Sequence, residues 1–136
     1  MDRRTVRILI ERLNRDAEHI ARRFGLQYRS IEAERANVKR RYGVCYADGG
    51  IKIRLRHAVT GRALKYSGLV NTLCHELAHL RHFNHGVRFK VFYLELLDFA
   101  RAEGIYRPGP SGRQRPAHRA PEPARPIQLA LFGGRY

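Results

Sequence analysis

The apolar residues at the start of the chain recur at helical spacing. They form one stripe, made of Val6, Leu9, Ile10, Leu13, Ala17, Ile20 and Phe24. This pattern predicts an amphipathic helix from about Arg3 to Phe24, with its apolar side packed on a sheet. Gly25 follows at once and can adopt the left-handed conformation that ends many helices.

Alternating apolar and charged residues mark the next part of the chain. In residues 51–55, isoleucine and leucine alternate with lysine and arginine, which is typical of a strand with one buried face. The run VKRRYGVCY precedes it, and the Gly-rich turn ADGG joins the two, so we predict a β-hairpin. A weaker alternation within residues 26–35 predicts an earlier strand.

Helical spacing returns in two later stretches. The apolar residues of the first are Leu69, Val70, Leu73, Leu77 and Leu80. The second runs from Gly86 to Glu103, and its apolar residues are Phe89, Phe92, Leu96 and Phe99. The order of elements predicts a small, single α+β domain: an N-terminal helix, a short antiparallel sheet with a hairpin, and two further helices.

The C-terminal part has a different composition. All six prolines fall between Pro108 and Pro126, with no apolar periodicity around them. We therefore predict a folded domain over residues 1–106, a disordered Pro- and Arg-rich linker over 107–126, and a short linear motif over 127–136.

The net charge and the number of cysteines limit the partners and the cellular compartment that we expect for the protein. The net charge of +15, mostly from arginine, favours non-specific contact with DNA, although such charge can also serve solubility alone. No apolar run is long enough to span a membrane, so we expect no membrane partner. Because two cysteines cannot form a disulfide scaffold, we expect a reduced, cytoplasmic protein.

The segment HELAHLRHFNH carries the clearest chemical signal. His75 and His79 are four residues apart, so on a helix their imidazoles face the same side and can share one Zn²⁺. Glu76 lies beside that metal without being a ligand, where a carboxylate can take a proton from metal-activated water.

A catalytic zinc site needs a third protein ligand. His85 is favoured, because a chain that leaves its helix after His79 can turn back and present it. His82 is the competing choice if the helix continues. A further alternative draws on the next helix for the third ligand, with Glu95 or Glu103 in that role.

The stretches RRYGVCYADGGIKIRL and HELAHLRHFNHGVRF together resemble the SprT-like and YgjP-like zinc metallopeptidases, over roughly Arg35 to Phe99. The resemblance implies one Zn²⁺ held by His75, His79 and His85, with Glu76 as catalytic base. The spacing also resembles the metzincin signature, but that signature requires a methionine turn and the only methionine is at the N-terminus.

These observations predict a monomeric zinc endopeptidase that cleaves protein or peptide substrates. Its substrates could be proteins bound or crosslinked to DNA near a replication fork. We expect an extended substrate to add beside a basic edge strand made of Ile51, Lys52, Ile53, Arg54 and Leu55. Two alternatives remain: a zinc hydrolase of non-peptide amides, and a non-catalytic adaptor for DNA and clamp in which zinc is structural.

A short apolar island follows the linker. It consists of Gln128, Leu129, Ala130, Leu131 and Phe132 and resembles the pentapeptide that binds the bacterial sliding clamp. The resemblance implies side-chain anchors at Gln128, Leu129, Leu131 and Phe132, and a sliding clamp as partner. The alternative is that the island folds back onto the domain as a terminal strand.

Overall fold

The first helix, α1, spans Arg3–Phe24, as its apolar stripe predicts. The computed structural model describes residues 1–109, and this helix opens them. Asp2 caps its start, because the side chain accepts a hydrogen bond of 2.8 Å from the backbone amide of Thr5. Gly25 ends it with a φ of 69°, a left-handed conformation that a residue with a Cβ adopts only with strain.

Three short strands form a mixed sheet. They are β1 (Ser30–Ala33), β2 (Gly43–Cys45) and β3 (Gly50–Ile53), in the order β1-β3-β2. β2 and β3 pair antiparallel and confirm the hairpin. β1 pairs parallel with β3, so the prediction of a purely antiparallel sheet is wrong. The chain reverses direction between β1 and β2 and again between β2 and β3, which leaves β1 and β3 running the same way.

The basic strand is central rather than at an edge. β3 is bonded to β1 on one side and to β2 on the other. The pairing continues beyond it, since Glu34 N donates to Ile53 O at 2.9 Å and Arg54 N donates to Tyr42 O at 2.8 Å. The prediction that Ile51, Lys52, Ile53, Arg54 and Leu55 form a substrate edge strand is therefore wrong, because the three of these residues that lie in β3 have strand partners on both sides.

The second helix, α2 (Tyr66–His79), lies at the centre of the domain. It contacts α1, both strands of the hairpin and the third helix, α3 (Val87–Ala102). Ten of its fourteen residues are buried, and four of these are polar: Thr72, His75, Glu76 and His79. The helices and the sheet together make the predicted small α+β domain.

Two further expectations concern the ends of the chain and the membrane. Within residues 1–109, no helix is long and apolar enough to cross a bilayer. The predicted motif at 127–136, and the linker beyond residue 109, lie outside the described residues.

Candidate active site

Three imidazoles meet where α2 ends. His75 and His79 lie one turn apart on α2 and are each 4% exposed, and His85 lies on the loop before α3. Their candidate ligand nitrogens all lie within 4.8 Å of one another. The Nε2 atoms of His79 and His85 are 3.0 Å apart. The structure therefore brings together the three histidines favoured from the sequence.

His82 takes a different position because α2 stops at His79. Its ring packs edge-on against Phe92, with centroids 5.7 Å apart. Its backbone carbonyl instead accepts a hydrogen bond from His79 Nδ1 at 3.1 Å. This contact holds the His79 ring so that Nε2 faces His85, which is how a backbone carbonyl commonly orients a metal-binding histidine.

The three histidines fit a metal ion. Zinc bound to nitrogen at about 2.0–2.1 Å in tetrahedral geometry places its ligands roughly 3.3 Å apart. The observed separations, from 3.0 Å to at most 4.8 Å, need only small side-chain rotations to reach that geometry. Burial lowers the pKa of His79 to about 4, against the raising effect of Glu76, so its imidazole is neutral near pH 7. A neutral imidazole is the form that binds metals.

Glu76 lies directly beside this cluster and is fully buried. One of its carboxylate oxygens is 3.3 Å from His75 Nδ1. The strand β2 covers it closely at Gly43, where a Cβ would lie 3.2 Å from Glu76 Cγ and 2.8 Å from Thr72 Cγ2. Glycine at this position therefore lets the strand approach the helix face that carries the carboxylate.

Phe89, on the first turn of α3, packs against all three imidazoles. Its ring centroid is 4.9 Å from that of His75, 4.5 Å from His79 and 4.8 Å from His85. One turn later, Tyr93 lies 5.3 Å from His75 and donates a hydrogen bond to the Asn71 side chain. The sequence did not single out either contact. The only available signal was the four-residue spacing from His85 to Phe89 and on to Tyr93.

Comparison with known proteins identifies the family. The family model described as "YgjP-like, metallopeptidase domain" matches residues 1–101. The chain belongs to the YgjP-like metallopeptidase family. No curated protein matches its sequence. The predicted family and enzyme class are thereby confirmed.

Solved structures share the fold of this metallopeptidase. Wss1 from Saccharomyces cerevisiae is similar with a TM-score of 0.64 and 19% identity, over 71% of this chain and 79% of that one. A mutant of the same protein gives a TM-score of 0.69 at 17% identity, over 77% and 87%. Wss1 from S. pombe gives 0.56 at 23% identity, over 68% and 77%. At these identities the likeness concerns the fold.

The two acidic residues considered as an alternative third ligand, Glu95 and Glu103, do not lie in the histidine cluster. Glu95 is exposed on α3. Glu103 lies beyond the end of that helix and pairs with His19 at 2.7 Å. Cys45 and Cys74 are buried free thiols, and burial raises the pKa of both, so neither thiol is activated as a nucleophile. Among the described residues, the three-histidine cluster is the group suited to the metal of a metallopeptidase.

Proposed function

We propose that this YgjP-like protein is an endopeptidase in which His75, His79 and His85 hold one Zn²⁺. The observation that carries the proposal is the convergence of three imidazole nitrogens within 4.8 Å beside a buried carboxylate. Zinc bound there would activate water and polarise the scissile carbonyl. Three protein ligands also leave one coordination position for the reaction, as catalytic zinc sites require.

Glu76 is the proposed general base. Its side chain lies on the same turn of α2 as His75 and outside the group of metal ligands, so the carboxylate remains available for proton transfer. It accepts a proton from the attacking water and delivers that proton to the leaving amine. The backbone of β2 at Gly43 lies close to this side chain and covers it beside the histidines.

The substrate is proposed to add to β2, the outer strand that contacts α2. The backbone amide of Tyr46 donates to Gly50 O at 2.7 Å, and the carbonyl of Tyr42 accepts from Arg54 N at 2.8 Å. The backbone groups of Tyr42 and Tyr46 therefore point towards β3. In an antiparallel ladder, alternate residues point their amide groups outward, so those of Gly43 and Cys45 face away from β3. An extended peptide paired there would pass next to Glu76.

DNA-bound or DNA-crosslinked proteins are the proposed substrates. The support is the net charge of +15, which favours a polyanion through counterion release. Such a surface would concentrate the enzyme where its substrates are held. The residues after position 106 carry part of this charge and include the clamp-like pentapeptide, which would direct the enzyme toward replicating DNA.

The test of the proposal combines metal analysis with a cleavage assay. The purified chain should contain one zinc per molecule and should cleave casein or itself, faster when single-stranded DNA is present. Zinc content of one without any peptide cleavage would refute the endopeptidase proposal. Cleavage that DNA does not accelerate would refute the DNA-bound substrates while leaving the hydrolytic chemistry intact.

The C-terminal motif has its own test. A peptide of residues 124–136 should bind the sliding clamp of the source organism with micromolar affinity, equivalent to about 8 kcal/mol, because a short flexible ligand loses entropy on ordering. A matched peptide with Leu131 and Phe132 changed to alanine should lose that binding. Gln128 and Leu129 are the other proposed anchors. Equal binding by both peptides would remove the clamp from the proposal.

A further inference from the structure

A cationic cavity lies outside the metal site, between the loop after β1 and the turn after β3. Its volume is about 220 Å³. The charged and titratable residues that line it are Glu34, Arg35, Lys39, Arg54, Arg56 and His57. The one acidic member is already engaged, because Glu34 accepts hydrogen bonds from Arg41 at 2.9 Å and 2.6 Å. The lining therefore carries an excess of positive charge.

Arg54 is the buried anchor of this cavity. It is 7% exposed, its guanidinium lies 4.5 Å above the Tyr42 ring, and one terminal nitrogen donates to Lys39 O at 2.8 Å. Its buried Nε, however, has no acceptor among the described residues. A buried donor on a cation costs free energy when left unsatisfied, so it is normally paired with an acceptor. Because Arg54 lines the cavity, an anion bound there would lie beside this guanidinium group.

We propose that this cavity binds a phosphate group of a nucleic-acid strand, with Arg54 as the buried donor and Lys39 and Arg35 at the rim. Guanidinium groups match the oxygen geometry of phosphate, and the net charge of +15 favours nucleic acid over free phosphate as its source. The choice of nucleic acid rests on the proposed DNA-bound substrates. The cavity itself is independent of the peptidase chemistry.

The position of the cavity gives the proposed phosphate site a function. Arg54 directly follows Ile53, and Ile53 pairs with Gly43, the residue that covers Glu76. A strand held by Arg54 would therefore lie near the end of β2 that begins at Gly43. A protein attached to that strand would be presented to the proposed substrate edge.

The experiment measures binding of a labelled single-stranded oligonucleotide by fluorescence anisotropy, with the full-length Glu76→Gln chain as background so that hydrolysis does not interfere. Arg54→Lys, which keeps the charge but removes Nε, should weaken binding about tenfold. Lys39→Ala should lower the slope of log affinity against log salt by about 0.7, the value for one lost phosphate contact on a single strand. Lys90→Ala, an exposed lysine on α3, is the matched control and should leave that slope unchanged.

Equal effects of Lys39→Ala and Lys90→Ala would overturn the site. If Arg54→Lys fails to fold, as judged by near-UV circular dichroism, Lys39→Ala decides alone, because its side chain is exposed and its carbonyl still accepts from Arg54. Inorganic phosphate should compete with the oligonucleotide for the cavity. If the chain binds inorganic phosphate and DNA does not displace it, nucleic acid is not the source of the bound phosphate group. If DNA binding depends on Arg54 but the wild-type chain cleaves no peptide, the peptidase proposal is refuted and the phosphate site stands.

Discussion

Replacing Gly43 by alanine tests how closely β2 must cover the site. The added Cβ would lie 2.8 Å from Thr72 Cγ2, 3.1 Å from Lys52 O and 3.2 Å from Glu76 Cγ. Because two of these atoms belong to buried side chains and one to the backbone of the central strand, the strand and helix must move apart. Overpacking of this kind costs about 1–3 kcal/mol of unfolding free energy.

The effect should be visible in both stability and catalysis. In a domain of this size, each kcal/mol lowers the melting temperature by about 4–8 °C. A shift of Glu76 by a fraction of an ångström should lower kcat/KM by about 10–100-fold, since misplacing a reacting group by 1 Å costs roughly 100-fold. Chemical denaturation and peptide hydrolysis measured on the same preparations give the two numbers.

Two further variants make the test specific. Gly68→Ala is the matched control, because a Cβ there meets nothing within 4 Å and alanine stabilises a helix by about 0.5–1 kcal/mol over glycine. Thr72→Ser removes the methyl group of the closest contact, so it should restore part of the loss when combined with Gly43→Ala. A Gly43→Ala chain as stable and as active as the wild type would refute the close-cover argument.

Three other predictions concern the third metal ligand, the first helix and the Phe89 ring that packs against the histidines. His85→Ala should lower zinc affinity, measured by competition with a chelator, far more than His82→Ala, and the reverse order would contradict the proposed ligand set. Asp2→Ala should lower the melting temperature at neutral pH. Its capping hydrogen bond lowers the carboxyl pKa below 3.8, so the difference from wild type should vanish as the pH falls through that lower value. Phe89→Leu should weaken zinc binding about 10–100-fold, as the loss of other groups that position metal ligands does, whereas Phe92→Leu should not.

The helices could be predicted because their signals are local. The stripe of α1 and the glycine after it define both of its ends within the sequence itself. The hairpin was equally local, as its turn and alternating residues are contiguous. The order of the strands is not a local signal. Alternation shows that a strand has one buried and one exposed face, but it does not show which strands pair with it in the sheet. β3 therefore appeared to be a basic edge strand, although β1 and β2 flank it.

The same limit applies within the site. His85 lies close to His75 and His79 because α2 ends at His79, and the spacing of the histidines favoured that placement. Phe89 carried only the signal of a core residue, because its contact with three imidazoles depends on how α3 packs against α2. Arg54 occupies a position that alternation assigns to solvent, yet the loop after β1 buries it. Both properties arise from tertiary packing, which periodicity does not encode.

The Glu76→Gln variant tests the central claim most directly. Glutamine keeps the shape of the side chain but cannot accept the proton, so zinc content should stay at one per molecule while peptide cleavage falls by about 100-fold to 10,000-fold. Glu95→Gln, an exposed change on α3, should leave both quantities unaltered. Zinc content and cleavage rate must be measured on the same samples. A Glu76→Gln chain that retains zinc and cleaves at the wild-type rate would contradict the proposed mechanism.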